Sequence, residues 1–408
     1  MVSKMEVKIV VGANYGDEGK GMATAYFSKQ AYENKQRCLN ILYNGSCQRG
    51  HTVELKNGTK HVFHHFGSGT FYGAHTYFDR HFIINPIFFV REYYELAEKG
   101  YEPICYANED CTIATPFDAI LNQIFERGRG KNKHGSCGFG VFETVKRNEN
   151  KEYCLTYRNL ALMTREQIKN ALWKIVREYV PKRLKEMGYE DIPETERNVL
   201  GGELTDNLIN HYIQDFYTTV NFCWLINFEK IFVEDYDVVI YEGAQGLALD
   251  MNNLNDFPHL TPSETTPIIP MKAIVNNNWK IGSGQKIEIC YVTRSYMTRH
   301  GAGPFSTECK KEDINKNIED LTNVPNPFQD TLRYGTFDPV LFEIRVKTSI
   351  GDACEIWGGF DLKATVFLTY ANDNPKQKNM IRGLLGDMFD YGYVSNTKYL
   401  EDVKGWRD

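Results

Sequence analysis

The feature that most constrains this chain is its beginning, where a short apolar run leads directly into a glycine-rich turn and a helix-like segment. Residues 7–11 read VKIVV, and residues 14–27 read NYGDEGKGMATAYF. A buried strand, a glycine turn and a helix in this order are the usual construction of a phosphate site in parallel α/β proteins. The chain is therefore predicted to be an α/β protein whose first strand lies in a mostly parallel sheet.

Later segments extend this prediction. Strand-like runs recur along the chain, at 40–43, 81–89, 101–107, 236–242, 286–294, 342–350 and 364–372. Together they predict one large, mostly parallel central sheet with flanking helices. From Thr164 onward, apolar residues spaced three or four apart predict two or three helices, inserted at about 160–235. Because no linker rich in Pro, Gly or Ser interrupts the sequence, residues 1–408 are predicted to form a single domain.

Composition excludes several classes of protein. The net charge of -6, with 25% charged residues, argues against a nucleic-acid partner. No apolar run approaches about 18 residues, so no membrane span is predicted. The N-terminal apolar run is interrupted by Lys8 and is interpreted as a first strand and not a signal peptide. Ten cysteines without a CxxC pair predict reduced thiols, no zinc site and a cytoplasmic protein.

The first turn resembles a phosphate-binding loop but differs from it in two ways. A P-loop carries Ser or Thr after its lysine, whereas Gly21 follows Lys20 here. An acid, Asp17, also stands where phosphate is expected, and it could hold Mg²⁺ or accept a proton from a substrate. The candidate triphosphate-binding residues of this turn are Gly16, Glu18, Gly19, Lys20 and Gly21.

Other loops carry further candidates. His51, in the glycine-rich segment 44–53, could donate a proton or hydrogen bond to a developing oxyanion. Ser136 and Cys137 lie between glycines in HGSCGFG and suit phosphate contacts, with a nucleophilic cysteine disfavoured. Gln245 in EGAQG can read a donor and an acceptor on a base edge. Arg333 in NPFQDTLRYGTFD is a candidate clamp for a carboxylate or phosphate.

Taken together, these motifs resemble one family. GDEGKG after the first strand, a Gly-His-Thr triplet, EGAQG and TRHGAGPFSTE occur in the order found in adenylosuccinate synthetases, from Val10 to about Asp373. The resemblance implies a large P-loop-related α/β fold and a homodimer that shares an active-site arginine. It also implies a Mg²⁺-dependent ligase. In such enzymes a nucleoside triphosphate phosphorylates the 6-oxo group of a purine nucleotide, and aspartate then displaces that phosphate.

The resemblance also assigns roles. Asp17 corresponds to the base and a Mg²⁺ ligand, His51 to the acid at the transferring phosphoryl group, and Gln245 to the catalytic reader of the base. The Gly50 carbonyl corresponds to a second metal ligand. Further triphosphate candidates are Gly50, Thr52, Asn372 and Asp373. Candidates for the purine nucleotide are Asp17, Gln48, Ser136, Cys137, Arg147, Gln245 and Thr261, with Arg147 also the nearest candidate for the shared arginine. Candidates for aspartate are Thr322, Asn323, Gln329 and Arg333.

Departures from the family pattern cluster in the substrate loops. GGNNAGHT is here GSCQRGHT, and of the aspartate-binding segment only Arg333 matches. The guanine-reading TKLD is here TYAND without a lysine, so ATP or dATP becomes a plausible donor beside GTP. These changes resemble the viral branch that adds aspartate to dGMP to make 2-aminoadenine DNA, which would place the protein in a host cytoplasm. Many members of that branch have serine at the position of Asp17.

The sequence thus favours dGMP as the substrate, with two alternatives. The first is an IMP-using adenylosuccinate synthetase with altered loops. The second is a nucleotide-binding regulatory homologue without turnover, which the presence of both Asp17 and His51 disfavours.

Overall fold

The computed structural model describes residues 5–130, 135–189, 191–226, 235–276, 286–318, 331–356 and 361–406. Its strands are β1 Glu6–Gly12, β2 Cys38–Leu42, β3 His51–Glu54, β4 Lys60–Phe63, β5 His75–Phe78, β6 Ile83–Ile84, β7 Cys105–Ala107, β8 Thr112–Ile113, β9 Cys223–Leu225, β10 Val238–Glu242, β11 Lys286–Arg294, β12 Met297–Arg299, β13 Glu308–Cys309, β14 Arg333–Gly335, β15 Asp361–Thr369, β16 Tyr391–Val394 and β17 Lys404–Trp406.

Helices connect and cover these strands. They are α1 Lys20–Glu33, α2 Pro86–Glu98, α3 Pro116–Arg129, α4 Val141–Asn148, α5 Tyr157–Leu162, α6 Arg165–Lys174, α7 Val180–Glu186, α8 Glu194–Val199, α9 Thr205–Phe222, α10 Ile268–Asn276, α11 Lys311–Ile314, α12 Pro339–Glu355 and α13 Pro375–Arg382. A π-helical turn, Ile175–Tyr179, joins α6 to α7. Short 3-10 turns occupy Ser68–Tyr72, Leu247–Leu249, Leu254–Asp256 and Leu400–Asp402.

Ten of the described strands form the central sheet, in the order β17-β16-β15-β11-β1-β10-β2-β5-β7-β9. All neighbours are parallel except β16 and β17, which are antiparallel. The predicted fold class, a large mostly parallel sheet with flanking helices, is confirmed. Through strands β16 and β17 the C-terminal residues pack against the edge of the central sheet.

Two strand predictions were wrong, because local signals for helix initiation outweighed apolar content. Of residues 81–89, only Ile83–Ile84 form a strand, and the Asn85 side chain caps α2 with Pro86 at its first position. Residues 342–350 lie inside α12, which the Asp338 side chain caps, again with proline in its first turn. Buried positions of α12 recur every three or four residues, which is the helical spacing.

The stretch predicted to be a helical insertion is occupied by α5 to α9, after which β9 joins the edge of the sheet. Its description as an insertion in a single domain stays a prediction. No helix within the described ranges is long and apolar enough to cross a membrane. Of the clusters of buried apolar residues, the largest includes residues of α1, α2 and α9, and the next includes residues of α10 and α12.

Parallel strands place the candidate motifs together. The segments that follow β1, β2, β10, β11 and β15 leave the sheet at the carboxyl ends of neighbouring strands. These segments carry the motifs that contain Asp17, His51, Gln245, His300 and Asp373. In open parallel sheets this edge is where ligands bind.

Candidate active site

The turn after β1 packs tightly on the ends of its neighbouring strands. A methyl group added at Gly21 would lie 2.8 Å from His51 Cβ, and one added at Gly19 would lie 2.7 Å from a methyl of Thr369. One added at Gly16 would lie 3.3 Å from the Gln245 side chain. Gly16 and Gly19 also have φ of 90° and 98°, which glycine adopts without strain. The structure therefore brings the first turn together with three segments that are far from it in sequence, those of His51, Gln245 and Thr369.

Asp17 is held in a specific conformation within this turn. Its φ is 59°, a left-handed value that is uncommon for residues other than glycine. His300 Nε2 lies 2.9 Å from Asp17 Oδ2, and the Arg294 guanidinium donates to the Asp17 backbone carbonyl. Burial favours the neutral acid, but the His300 hydrogen bond and the nearby charges of His300, Arg294 and Lys20 outweigh it. They hold the pKa of Asp17 well below its usual value. Asp17 is therefore ionised at neutral pH.

Lys20 and Glu18 form the buried floor of the turn. Burial lowers the pKa of Lys20 and raises that of Glu18 to about 7. Glu18 Oε1 accepts a hydrogen bond of 2.7 Å from the Asn14 amide, whereas Oε2 has no partner among the described residues. The start of α1, at Lys20, has no side-chain cap, so its first amides are open to an anion. This arrangement suits phosphate oxygens.

His51 belongs to a buried cluster around Glu242. His51 Nδ1 lies 2.6 Å from Glu242 Oε1, and Arg49 Nη2 lies 3.2 Å from the same oxygen. The Ser68 amide donates to Glu242 Oε2 at 3.0 Å. Burial and the Arg49 charge lower the pKa of His51 to about 4, although Glu242 opposes them. His51 is therefore neutral at pH 7, with Nδ1–H donating to Glu242.

The sequence-based site omitted Glu242, the partner of His51, and the two further residues that contact Glu242, namely Arg49 and Ser68. Glu242 carried a signal, since it is an acid at the end of the apolar run VVIYE and directly precedes glycine. A fully buried carboxylate requires partners, which here are a cation, an imidazole and an amide. Nothing in the local sequence indicated Ser68.

Gln245 lies in the turn after β10, with a left-handed φ of 61°. The Asn44 side chain fixes this turn by accepting from the Ala244 amide at 2.7 Å and donating to the Glu264 carbonyl at 2.7 Å. Asn44 thereby joins the segment before Gln48 to the segment after Thr261. Thr261 is buried, and its hydroxyl lies 3.3 Å from the Ser263 hydroxyl.

The loop with Ser136 and Cys137 approaches the same region from α3. Ser136 Oγ donates to Asn122 Oδ1 at 3.1 Å. Burial raises the pKa of the Cys137 thiol to about 11, so it is not a nucleophile at neutral pH. A methyl group added at Gly135 would lie 2.8 Å from Gly301 Cα, so this loop packs against the residues that follow His300.

Arg147 is not placed to bind a nucleotide or to reach a partner subunit. It is fully buried, and its Nε and Nη2 each lie 2.9 Å from a carboxylate oxygen of Asp118. The Tyr153 and Ile113 carbonyls accept further hydrogen bonds at 2.7 and 2.8 Å, and Asn148 Oδ1 accepts a longer one at 3.4 Å. Burial opposes the Arg147 charge, but Asp118 outweighs burial and raises the pKa of Arg147. The prediction for Arg147 is corrected: it forms an internal ion pair.

Arg333 lies near the site but already has partners. It donates to Glu308 Oε1 at 2.8 Å and to the carbonyls of Gly301 and Gly303 at 3.0 Å each. About a quarter of its side chain is exposed, so a carboxylate ligand could compete with Glu308. The other three candidates for aspartate, Thr322, Asn323 and Gln329, lie outside the described residues.

The segment after β15 lies beside the first turn. The Thr369 hydroxyl donates to the Glu18 carbonyl at 2.8 Å, and the Arg294 guanidinium lies 4.8 Å from the centre of the Tyr370 ring. Asn372 is exposed, and burial raises the pKa of Asp373. Two triphosphate candidates remain, on either side of His51 in the sequence. Gly50 is exposed and Thr52 is half-buried.

The oxygen atoms available at the site fit a Mg²⁺ ion that a bound phosphate would help to hold. Asp17 is an ionised oxygen ligand, and Gly50 offers a carbonyl on an exposed loop. Within the described ranges no group of three or more His, Cys, Asp or Glu side chains could hold a metal. Mg²⁺ needs no such cage, because it binds one or two carboxylates together with phosphate and water.

Comparison with known proteins points to one family. The model of the adenylosuccinate synthetase family matches residues 9–353. The adenylosuccinate synthetase of Clostridium botulinum is 27% identical over 319 residues, which cover 76% of this chain and 67% of the relative. That of Bacillus subtilis is 27% identical over 311 residues, covering 76% and 66%.

Solved structures share the fold, among them two synthetases. The fully ligated adenylosuccinate synthetase of Plasmodium falciparum has a TM-score of 0.63 at 18% identity, covering 90% of this chain and 77% of that one. The succinoaminodeoxyadenylate synthetase of cyanophage S-2L, bound to dGMP and dATP, has a TM-score of 0.62 at 16% identity, covering 99% and 96%.

The fold and the motif residues define a nucleotide-dependent enzyme that forms carbon–nitrogen bonds. The chain belongs to the adenylosuccinate synthetase family.

Proposed function

We propose that this protein joins L-aspartate to dGMP, using Mg²⁺ and a nucleoside triphosphate. The triphosphate transfers its γ-phosphoryl group to the purine 6-oxygen, and the aspartate amine then displaces that phosphate from C6. The products are N6-succino-2-amino-2'-deoxyadenylate, inorganic phosphate and the nucleoside diphosphate. One observation carries the proposal: an ionised Asp17, the helix start at Lys20, His51 and Gln245 converge at one edge of the sheet.

Each converging group has a role in the proposed reaction. Asp17 accepts the N1 proton, which makes the 6-oxygen a better nucleophile. Lys20 and the uncapped amides of α1 bind the phosphates of the donor. When bound at Asp17 and the Gly50 carbonyl, Mg²⁺ would neutralise charge on the transferring group. His51, held by Glu242, faces the same group, where the negative charge of bound phosphates would raise its pKa and favour proton donation.

Side chains from neighbouring loops are proposed to complete the nucleotide site. Gln245 orients the purine, and Gln48, Ser136, Cys137 and Thr261 are proposed to contact the nucleotide and its 5'-phosphate. We propose that Arg333 leaves Glu308 to clamp the carboxylates of aspartate, because a bidentate pair with a ligand can replace the one it now makes.

The preference for dGMP and for an adenine donor has two supports. The substrate loops depart from the family pattern, and no lysine precedes the acid in TYAND, which weakens the case for a guanine donor. The cyanophage protein bound to dGMP and dATP also matches this chain over 96% of its own length. ATP or dATP is therefore the proposed donor, with GTP as the alternative. IMP is the second candidate substrate, because this chain retains Asp17 where many members of the dGMP-using branch have serine.

We also propose a homodimer in the cytoplasm, which is the host cytoplasm if the chain is viral. The shared arginine of such a dimer is not Arg147, whose guanidinium is fully occupied within its own chain.

The test is a panel of phosphate-release assays. Aspartate-dependent release is measured with dGMP, GMP, dIMP or IMP, each with ATP, dATP or GTP. The proposal expects the fastest release with dGMP and an adenine donor. Release with IMP alone would contradict the dGMP substrate, and no aspartate-dependent release with any nucleotide would contradict ligase activity and support the regulatory alternative.

A further inference from the structure

His300 makes a contact that the proposed mechanism does not use. Its Nε2 lies 2.9 Å from Asp17 Oδ2, and about 30% of the His300 side chain and 23% of the Asp17 side chain are exposed. Both groups therefore border open space at the carboxyl edge of the sheet. Asp17 Oδ1 has no hydrogen-bond partner within the part of the chain that the structure describes. The contact thus occupies one carboxylate oxygen and leaves the other for a ligand.

The backbone around His300 is firmly anchored. The preceding residue, Arg299, is buried and donates to the carbonyls of Pro304, His259 and Ala302 at 2.8, 3.1 and 3.1 Å. Strand β12 pairs with β14 through Arg299 and Arg333. These bonds hold His300 beside Asp17, so the contact is a built feature of the site.

The number of open oxygens on Asp17 matters for the choice of purine. A guanine base presents two adjacent donors, the N1–H and the 2-amino N–H, whereas hypoxanthine presents N1–H alone. A carboxylate with both oxygens open can accept one hydrogen bond from each guanine donor, because it is a two-oxygen acceptor. A carboxylate with one oxygen already bonded to an imidazole N–H accepts the N1–H of either base at its open oxygen. Its bonded oxygen is a weaker and less freely oriented acceptor for the 2-amino group, so the carboxylate gains less from guanine.

We propose that His300 is a positioning residue that sets selectivity at purine C2, by occupying Asp17 Oδ2 so that the carboxylate does not itself select 2-aminopurines. The inference rests on the proposed function in one respect, namely that Asp17 faces purine N1. It follows that any preference for dGMP over dIMP comes from loops other than the first turn.

The test is equilibrium binding of dGMP and dIMP without Mg²⁺, triphosphate or aspartate, so that neither metal nor turnover affects the result. The variant His300→Val removes the donor, His300→Ala is a second donor-free variant, and His300→Gln keeps an amide donor near the position of Nε2. The ratio of the dIMP to the dGMP dissociation constant is expected to rise about fivefold in the two donor-free variants. It should stay near the wild-type value in His300→Gln.

A double-mutant cycle with Asp17→Asn provides the control. An amide offers a single acceptor oxygen, so His300→Val should leave the selectivity ratio unchanged when Asp17 is already Asn. The inference is overturned if donor-free variants alter both affinities equally, or if the ratio rises as much in the Asp17→Asn background. Because the readout is binding, a lack of aspartate-dependent phosphate release would contradict the proposed function without deciding the role of His300.

Discussion

Two buried charged clusters of this protein differ in how completely their hydrogen bonds are satisfied. At Arg147, the guanidinium is saturated by both oxygens of Asp118 and by two backbone carbonyls. Around Lys20 and His51, Glu18 Oε2 and two nitrogens of Arg49 lack partners among the described residues. Burial also raises the pKa of Glu18 and lowers that of His51, and both shifts favour the neutral form of the side chain.

The difference distinguishes a structural cluster from a functional one. Leaving buried polar groups without partners costs free energy, so a fold does so mainly where a ligand will complete the bonds. Arg147 has no bond left to offer a ligand, whereas the first turn has. Substitutions in the two clusters should therefore affect different properties, the first stability and the second turnover.

The largest effect is expected at Asp17. Asn tolerates a left-handed φ, so Asp17→Asn should preserve the turn while removing the base. We expect kcat to fall by about 10²- to 10⁴-fold, with nucleotide binding still measurable, because the loss falls on the transition state. Steady-state kinetics and equilibrium binding would be measured together. The control is Asp110→Asn, at a largely exposed acid; if Asp17→Asn retains most of its activity, the assignment of the base is wrong.

The next effect is expected at Arg147, on stability. Arg147→Met leaves Asp118 buried without its cation, which should destabilise the fold by about 3–5 kcal/mol. Urea unfolding would measure this loss, and kcat per folded molecule should change little. Arg158→Met is the matched control, because Arg158 pairs with Glu109 at the surface. Unchanged stability combined with weaker nucleotide binding would return Arg147 to the active site.

Arg333 shares a property with each cluster. It is paired, as Arg147 is, but its side chain is partly exposed and therefore open to a ligand. Arg333→Leu should raise the KM for aspartate by about 10- to 100-fold, the equivalent of a charged hydrogen bond, with a smaller change in the KM for nucleotide. Arg382→Leu, at an exposed position of α13, is the control. An aspartate KM equal to that of the wild type would refute the clamp.

Features set by local sequence patterns could be predicted, whereas contacts between distant residues could not. The sheet followed from apolar runs, whereas the grouping of Asp17, His51 and Gln245 was expected from the resemblance to a family. Parallel strands account for that grouping, because they bring their carboxyl ends to one edge. The error at residues 342–350 arose because an apolar run was weighted above the capping signal of Asp338 and Pro339.

Partners that are distant in sequence could not be predicted. Arg147 was a reasonable candidate from the sequence, because its partner Asp118 lies 29 residues earlier in the chain. Likewise, nothing in the sequence connects His300 with Asp17, which lies 283 residues earlier. Contacts of this kind depend on how loops meet in the folded chain, and no local pattern encodes them.

The central claim, phosphorylation of the purine 6-oxygen, is tested most directly by isotope transfer. dGMP labelled with ¹⁸O at the 6-oxo position would be incubated with aspartate, Mg²⁺ and ATP, and the released phosphate examined by mass spectrometry. The proposed reaction predicts one ¹⁸O atom in each phosphate formed, because the C6–O bond breaks when aspartate attacks C6. Aspartate-dependent release of unlabelled phosphate would contradict the account.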